Sequence, residues 1–188
     1  MEKPAEHLTA GDMTLRRMRP EFADELHALI EDARDRLSPW LPWAAGQQLD
    51  GTRDYLEKSV TMWDDDVHYN YVIFWRGEMA GGCGLMTRQG PGRLEIGYWL
   101  GNAAEGHGVA STASRLLTEA SFAIDGIEHV EIRHDALNER SGAVPARLGF
   151  TETSREPDED RERITVIWEL TRERFAELHR TSPNGQLS

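Results

Sequence analysis

A strand-like run, Glu95-Ile96-Gly97-Tyr98-Trp99-Leu100, is followed after a short connection by Glu105-Gly106-His107-Gly108-Val109-Ala110. Val109, Ala113, Leu116, Leu117, Ala120, Ala123 and Ile124 then recur at helical spacing. No other feature constrains the fold as much as this strand feeding a glycine turn that opens a long helix. The N–H groups at a helix N-terminus are unpaired, and the macrodipole adds positive character there. Glycines let the backbone approach an anion closely, so the segment has the physics of a pyrophosphate cradle. An ordinary glycine-containing connection is one reading of it. A dinucleotide fold is weaker, because Ser111 stands where a third glycine belongs and the preceding strands read as hairpin-linked. A nucleotide P-loop is excluded, since no Gly-Lys-Ser/Thr follows.

The rest of the chain supplies the context. Met13–Met18 alternates as an edge strand, and Phe22, Leu26, Leu29, Ile30, Ala33 and Leu37 mark a helix. Ser38-Pro39-Trp40-Leu41-Pro42-Trp43 stops it. A second helix is expected over Thr52 to about Met62. Three strands follow, Tyr69–Trp75, Met79–Thr87 and Leu94–Leu100, joined by turns at Arg76-Gly77-Glu78 and Gln89-Gly90-Pro91-Gly92. After the long helix, closed by Asp125-Gly126, the pattern predicts a strand at His129–Asp135 and a short helix at Glu139–Leu148. Strands at Thr151–Arg155 and Arg163–Leu170 then flank an acidic loop. Thr171–Leu178 reads as a helical turn or two, and Thr181–Ser188 as disordered. Pro145 inside the short helix is an oddity, tolerable in a first turn.

Composition narrows the function classes. With 21 Lys and Arg against 33 Asp and Glu among 188 residues, the formal net charge is −12. Such a chain repels phosphate backbones and has no basic cluster to offset that, so nucleic acid is not expected and cationic partners are favoured. The one cysteine, Cys83, excludes an internal disulfide and a Cys-rich zinc site. A mid-strand cysteine with no adjacent histidine reads as a small core residue. His129 and His134 lie an odd number of residues apart on one strand and so face opposite ways, and no metal is expected. The N-terminus is charged where a signal peptide needs an apolar core, and no apolar run approaches ~18 residues, so the expected address is the cytoplasm.

A third reading of the glycine turn is a coenzyme A site. Gly97-Tyr98-Trp99-Leu100 before Glu105-Gly106-His107-Gly108-Val109-Ala110, then Asn138-Glu139-Arg140-Ser141 and Leu148-Gly149-Phe150, resemble the GNAT acetyltransferases in their ribosomal-protein N-terminal branch. Leu37-Ser38-Pro39-Trp40-Leu41-Pro42-Trp43 is similar to that branch's tryptophan-bearing loop. The similarity runs from about Leu15 to Leu170 in order and spacing. It departs at Glu105, where the branch usually has Gln or Arg, and a carboxylate is unhelpful beside a pyrophosphate. The resemblance implies a mixed α/β fold with a mostly antiparallel sheet of roughly six or seven strands, a divergent central strand pair and about four helices. Residues 13–170 would form that domain, 1–12 an extension and 171–188 a partly disordered tail.

The implied reaction is acetyl transfer from acetyl-CoA to a primary amine, by direct attack and without a covalent enzyme intermediate. The acceptor expected is a protein or peptide N-terminal α-amine, with a small-molecule amine or a non-catalytic CoA-binding module as alternatives. Many members of that family dimerise, so the resemblance makes a homodimer one option, and the sequence does not fix the oligomeric state. Glu105, Gly106, His107, Gly108, Val109, Ala110 and Ser111 would cradle the pyrophosphate. The strand at Tyr98, Trp99 and Leu100 would take the pantetheine arm as an added strand, with Asn138 and Ser141 on its other side. Glu95 is the first candidate for general base, with Asp160 or Glu159 second. Ser141 is the candidate donor to the leaving thiolate, or else a helix cap. Trp40, Trp43, Tyr71 and Asp160 are expected around the acceptor. The acidic clusters at Asp64–Asp66 and Glu156–Glu162 are expected near its mouth.

Overall fold

The computed structural model describes residues 2–87, 89–158 and 162–181, so Glu159, Asp160 and the terminal segment 182–188 lie outside the described residues. Within the described residues, alternation and helical spacing resolve into eight strands and six α-helices. The strands are β1 (His7–Ala10), β2 (Met13–Arg17), β3 (His68–Trp75), β4 (Glu78–Met86), β5 (Arg93–Leu100), β6 (His129–Asp135), β7 (Thr151–Asp158) and β8 (Arg163–Thr171). The helices are α1 (Ala23–Leu37), α2 (Pro42–Gly46), α3 (Leu49–Asp64), α4 (Val109–Ala123), α5 (Glu139–Arg147) and α6 (Arg172–Thr181).

All eight strands join one sheet in the order β1-β2-β3-β4-β5-β6-β8-β7, one strand more than the upper expectation. The extra strand is β1, within the expected extension, which pairs antiparallel to β2. Residues 171–181, expected as tail, complete β8 and form α6, whose Phe175 and Leu178 pack against the core. Pro42, read only as a helix stop, is also the first residue of α2, where its fixed φ and missing N–H are harmless.

Every neighbouring pair is antiparallel except β5 and β6, which run parallel. Arg93–Ile96 pair with His129–Ile132 and no further. From Gly97 onward β5 pairs only with β4, and from Arg133 onward β6 pairs only with β8, so the two central strands part.

The helices lie on both faces. On one, Leu26 and Ile30 of α1 and Leu56 of α3 pack with Met18, Val72 and Met79. On the other, Ala113, Leu116 and Leu117 of α4 bury against Leu15, Ile73, Leu85, Ile96 and Ile132. Burying an aliphatic side chain of this size contributes about 1.5–3 kcal/mol. No described helix is long and apolar enough to cross a membrane.

Candidate active site

A cleft of about 1450 Å³ runs through the sheet where β5 and β6 part. Tyr98, Leu100, Glu105, Gly106, Gly108, Val109, Ala110, Ser111, Asn138 and Ser141 all line it. Glu95, Trp40, Trp43 and Trp99 line it too. Register separates these into two sides: Glu95, Gly97 and Trp99 face one way along β5, and Tyr98 and Leu100 the other. The Trp99 indole, expected with the cofactor, therefore lies on the side of α1 and α2, edge-on to Trp43 at 5.9 Å.

Two expected residues stand elsewhere. Tyr71 does not reach the cleft: it is fully buried, and its hydroxyl donates to the Ala5 carbonyl at 2.9 Å. Its strand parity turns it to the core face, one residue out of step with Asn70, which does line the cleft. The His107 ring stacks on Trp75 at 5.0 Å, so what remains for a ligand there is its backbone. Asp64 bonds Arg17 at 2.8 Å and Asp66 bonds the Tyr69 hydroxyl at 3.0 Å. Neither lines the cleft, which removes that cluster from the acceptor mouth. Glu156 does approach it, 4.0 Å from Arg133.

The glycine turn fits an anion. Gly106 and Gly108 have φ of +76° and +75°, and a Cβ on either would meet nothing within 4 Å, so the loop borders open space. Gly108 precedes α4, no side chain caps that helix, and its first turn carries no acidic residue. The first-turn N–H groups of Val109, Ala110 and Ser111 thus lack intrahelical partners and face the cleft. Glu105, the misfit by sequence, is held between two cations: Arg36 Nη1 at 2.9 Å and Arg140 Nη1 at 3.0 Å. Two guanidinium groups and one carboxylate leave one positive charge at the rim. Arg36 also donates to the Asn102 side chain at 2.9 Å and to the Leu100 carbonyl, so it is pinned, while Arg140 is 83% exposed.

Pro145 shapes the opposite wall. It is an interior residue of α5 rather than a first-turn one. Proline has no N–H, so the Ser141 carbonyl four residues back loses its intrahelical donor. The Tyr98 hydroxyl takes that place, donating to the Ser141 carbonyl at 2.9 Å, and lies 3.2 Å from Ser141 Oγ. Burial pushes the Tyr98 phenol up to about 12, with the Ser141 bond opposing, so it stays protonated at neutral pH. The helix cap is Asn138, whose Oδ1 accepts from Ser141 N at 3.2 Å, and the Ser141 hydroxyl is not needed for capping.

Glu95 is 3% exposed on the other side. Gln89 Nε2 donates to its Oε2 at 2.6 Å, and Arg133 Nε lies 3.6 Å from the same oxygen. Arg133 is also bound by Gln89 Oε1 and by Glu131, each at 2.9 Å. Sequence reading missed Arg133 and Gln89, one a charged position in an alternating strand and the other part of a turn signal. Tyr55 was missed as well; it lines the cleft from α3. Arg163 lies 5.5 Å over the Trp40 ring and 2.7 Å from Asp135, joining the tryptophan loop to the far strands. Burial pushes the Cys83 thiol well above its usual range, so it carries no thiolate. Among the described residues no group of three or more His, Cys, Asp or Glu could hold a metal ion.

A split parallel pair beside an uncapped, glycine-led helix opens a gap whose free strand edge and unpaired N–H groups suit a long ligand carrying amides and an anion. The family model described as "Acetyltransferase (GNAT) domain" matches residues 12–151. The chain belongs to that family and uses acetyl-CoA as cosubstrate. It is 30% identical over 151 residues to YdaF of Bacillus subtilis (strain 168), whose name places it among ribosomal N-acetyltransferases; the match covers 78% of this chain and 81% of that one. Its fold is similar to RimL, a ribosomal L7/L12 α-N-protein acetyltransferase in complex with coenzyme A (TM-score 0.82, 20% identity, 90% of this chain and 99% of that chain). It is also similar to the microcin C7 self-immunity acetyltransferase MccE in complex with acetyl-CoA and AMP (TM-score 0.81, 20% identity, 86% and 93%).

Proposed function

We propose that this chain acetylates the N-terminal α-amine of a protein or peptide, by direct attack of the amine on acetyl-CoA. The observation that carries the reading is the cleft passing through the sheet at Gly97, with Glu95 on one side and the Tyr98–Ser141 pair on the other. The two substrates can then enter from opposite faces and meet without an enzyme-bound acetyl. The likeness to YdaF supports a protein acceptor, and a ribosomal one in particular. An enzyme of that kind works in the cytoplasm, where its acceptor chains are made.

Each residue has a role in the transfer. The first turn of α4 and the Arg36–Glu105–Arg140 rim hold the phosphates. Beyond Ile96, β5 is free of β6, so its exposed edge takes the pantetheine amides and one N–H there stabilises the carbonyl oxygen as it gains charge. The amine nitrogen bonds the acetyl carbon, and the carbon–sulfur bond breaks. Glu95 takes the proton of the ammonium form before attack and passes it to solvent, and the second proton leaves nitrogen as the carbon–sulfur bond breaks and goes to the thiolate. The departing thiolate accepts a hydrogen bond from Ser141 Oγ, whose proton turns to it from the Tyr98 oxygen. An α-amine, with a pKa near ~8, gives up its proton far more readily than a lysine near ~10.4.

The test combines calorimetric titration with acetyl-CoA and thiol release over a panel of short peptides and small amines. Binding with thiol release on peptides is expected. Binding without release on any amine would mean a CoA-binding module, and release on small amines alone would mean a small-molecule enzyme.

A further inference from the structure

On the acceptor side of the cleft the floor is built on three glycines, with side chains of neighbouring positions lying across them. Strand register sets three rows across β3, β4 and β5 on that face: Val72–Gly82–Trp99, Asn70–Gly84–Gly97 and His68–Met86–Glu95. Gly82, Gly84 and Gly97 let side chains lie flat on the sheet between Trp99 at one end and Glu95 at the other; a Cβ on Gly97 would come within 3.1 Å of Met86 Cε. What lies on two of these glycines explains them. A Cβ on Gly82 would come within 2.7 Å of Trp99 Nε1, and one on Gly84 within 2.7 Å of Asn70 Oδ1.

Asn70 is 6% exposed, and its Nδ2 donates to Ser59 Oγ at 3.2 Å. That fixes the amide nitrogen away from the cleft and lays the amide oxygen against Gly84. Among the described residues nothing donates to Asn70 Oδ1 and nothing accepts from Trp99 Nε1. Neither atom is among the buried polar atoms left without a partner, so with no bond from the chain both open onto the cleft, where a ligand can reach them. Trp43 and Tyr55, 42% and 41% exposed, stand on the same cleft as aromatic walls.

We infer that Asn70 Oδ1 and Trp99 Nε1 form a subsite for the backbone of the acceptor's second residue. Its N–H donates to Asn70 Oδ1, and its carbonyl accepts from Trp99 Nε1. The two atoms lie over glycines two residues apart, roughly 6–7 Å along a strand. An extended residue turns its own N–H and C=O to the same edge, so one residue can face both atoms, its two hydrogen bonds splaying outward to span them. The pair is neutral, one acceptor and one donor, which suits an amide's N–H and C=O together and offers no counter-charge to the second ammonium of a polyamine. With the chain so placed, its α-amine reaches toward Gly97, beside Glu95. The inference rests on the peptide-acceptor reading and narrows it to acceptors with a secondary amide after the first residue.

The test is made mainly on the substrate. A tripeptide amide, the same tripeptide N-methylated at the second residue's nitrogen, and ethanolamine are compared on the wild type, Asn70→Ser and Trp99→Phe, each checked by thermal melting. N-methylation is expected to lower kcat/KM about tenfold on the wild type, mostly through KM, and less than about twofold on Asn70→Ser, the loss of one hydrogen bond. Trp99→Phe is expected to lower the ratio of peptide to ethanolamine kcat/KM about threefold. Equal kcat/KM for the two tripeptides would overturn the subsite while leaving peptide acetylation standing. An undiminished N-methyl penalty in Asn70→Ser would overturn the assignment to Asn70. Turnover of ethanolamine with neither peptide acetylated would overturn the peptide reading itself.

Discussion

Glu105 shows how a residue unfavourable in isolation is made tolerable by its neighbours. Its carboxylate would repel a pyrophosphate, yet Arg36 and Arg140 bracket it and leave the rim cationic. It still competes with the phosphates for Arg140, the exposed partner. Glu105→Gln is therefore expected to tighten acetyl-CoA binding about threefold to tenfold at low salt. The gain shrinks above physiological ionic strength, where screening acts within about 8 Å. Titration calorimetry checks this, and weaker binding would mean that Glu105 holds the arginines in place instead. Glu95 is tested by pH. Below the acceptor's pKa the amine is protonated and needs a base; above it, free amine is already present. Glu95→Gln is expected to cut turnover about a hundredfold or more near pH 6.5, and progressively less above pH ~8. A pH–rate profile of unchanged shape would remove Glu95 as the base.

At the scale of elements, α5 trades regularity for a contact with β5. Pro145 removes a helix bond, and Tyr98 of β5 fills the gap at the Ser141 carbonyl while contacting the Ser141 hydroxyl. Pro145→Ala would restore the N–H and let the helix close on itself. The expected outcome is a gain of roughly 1–3 kcal/mol in stability with a several-fold fall in kcat, read by thermal melting and thiol release. Unchanged kcat would show that the Tyr98–Ser141 contact has no part in turnover. The same elements show where a sequence speaks and where it does not. The β3–β4–β5 hairpins, α4, β6 and the β7–β8 hairpin announce themselves through periodicity and turn glycines. β1 does not, being four residues long and largely solvent-facing, and it becomes a strand only by pairing with β2. Of the site, the glycine turn, Asn138, Ser141 and Glu95 were legible because motif and spacing carry them. Arg36, Gln89 and Arg133 were not, because their roles come from contacts across distant parts of the chain. Tyr71 was misplaced by a single residue of strand parity, the step that puts Asn70 on the cleft instead.

Taken whole, the molecule is strongly acidic, with a formal net charge of −12, yet binds an anionic cosubstrate. Backbone dipoles at the start of α4 and a small cationic rim act against that field locally. On the acceptor side, charges are largely paired: Glu95 with Arg133 and Gln89, Asp135 with Arg163. Among the described residues the acidity is thus not concentrated into a broad trap for cations around the cleft, and the expected selectivity comes from shape and hydrogen bonding. The most direct measurement is mass-spectrometric location of the acetyl group on a peptide with one free α-amine and one internal lysine. The account expects acetylation at the α-nitrogen, with the lysine left unmodified at neutral pH. Acetylation at the lysine, or of neither amine while a small amine in the same mixture is modified, would contradict it.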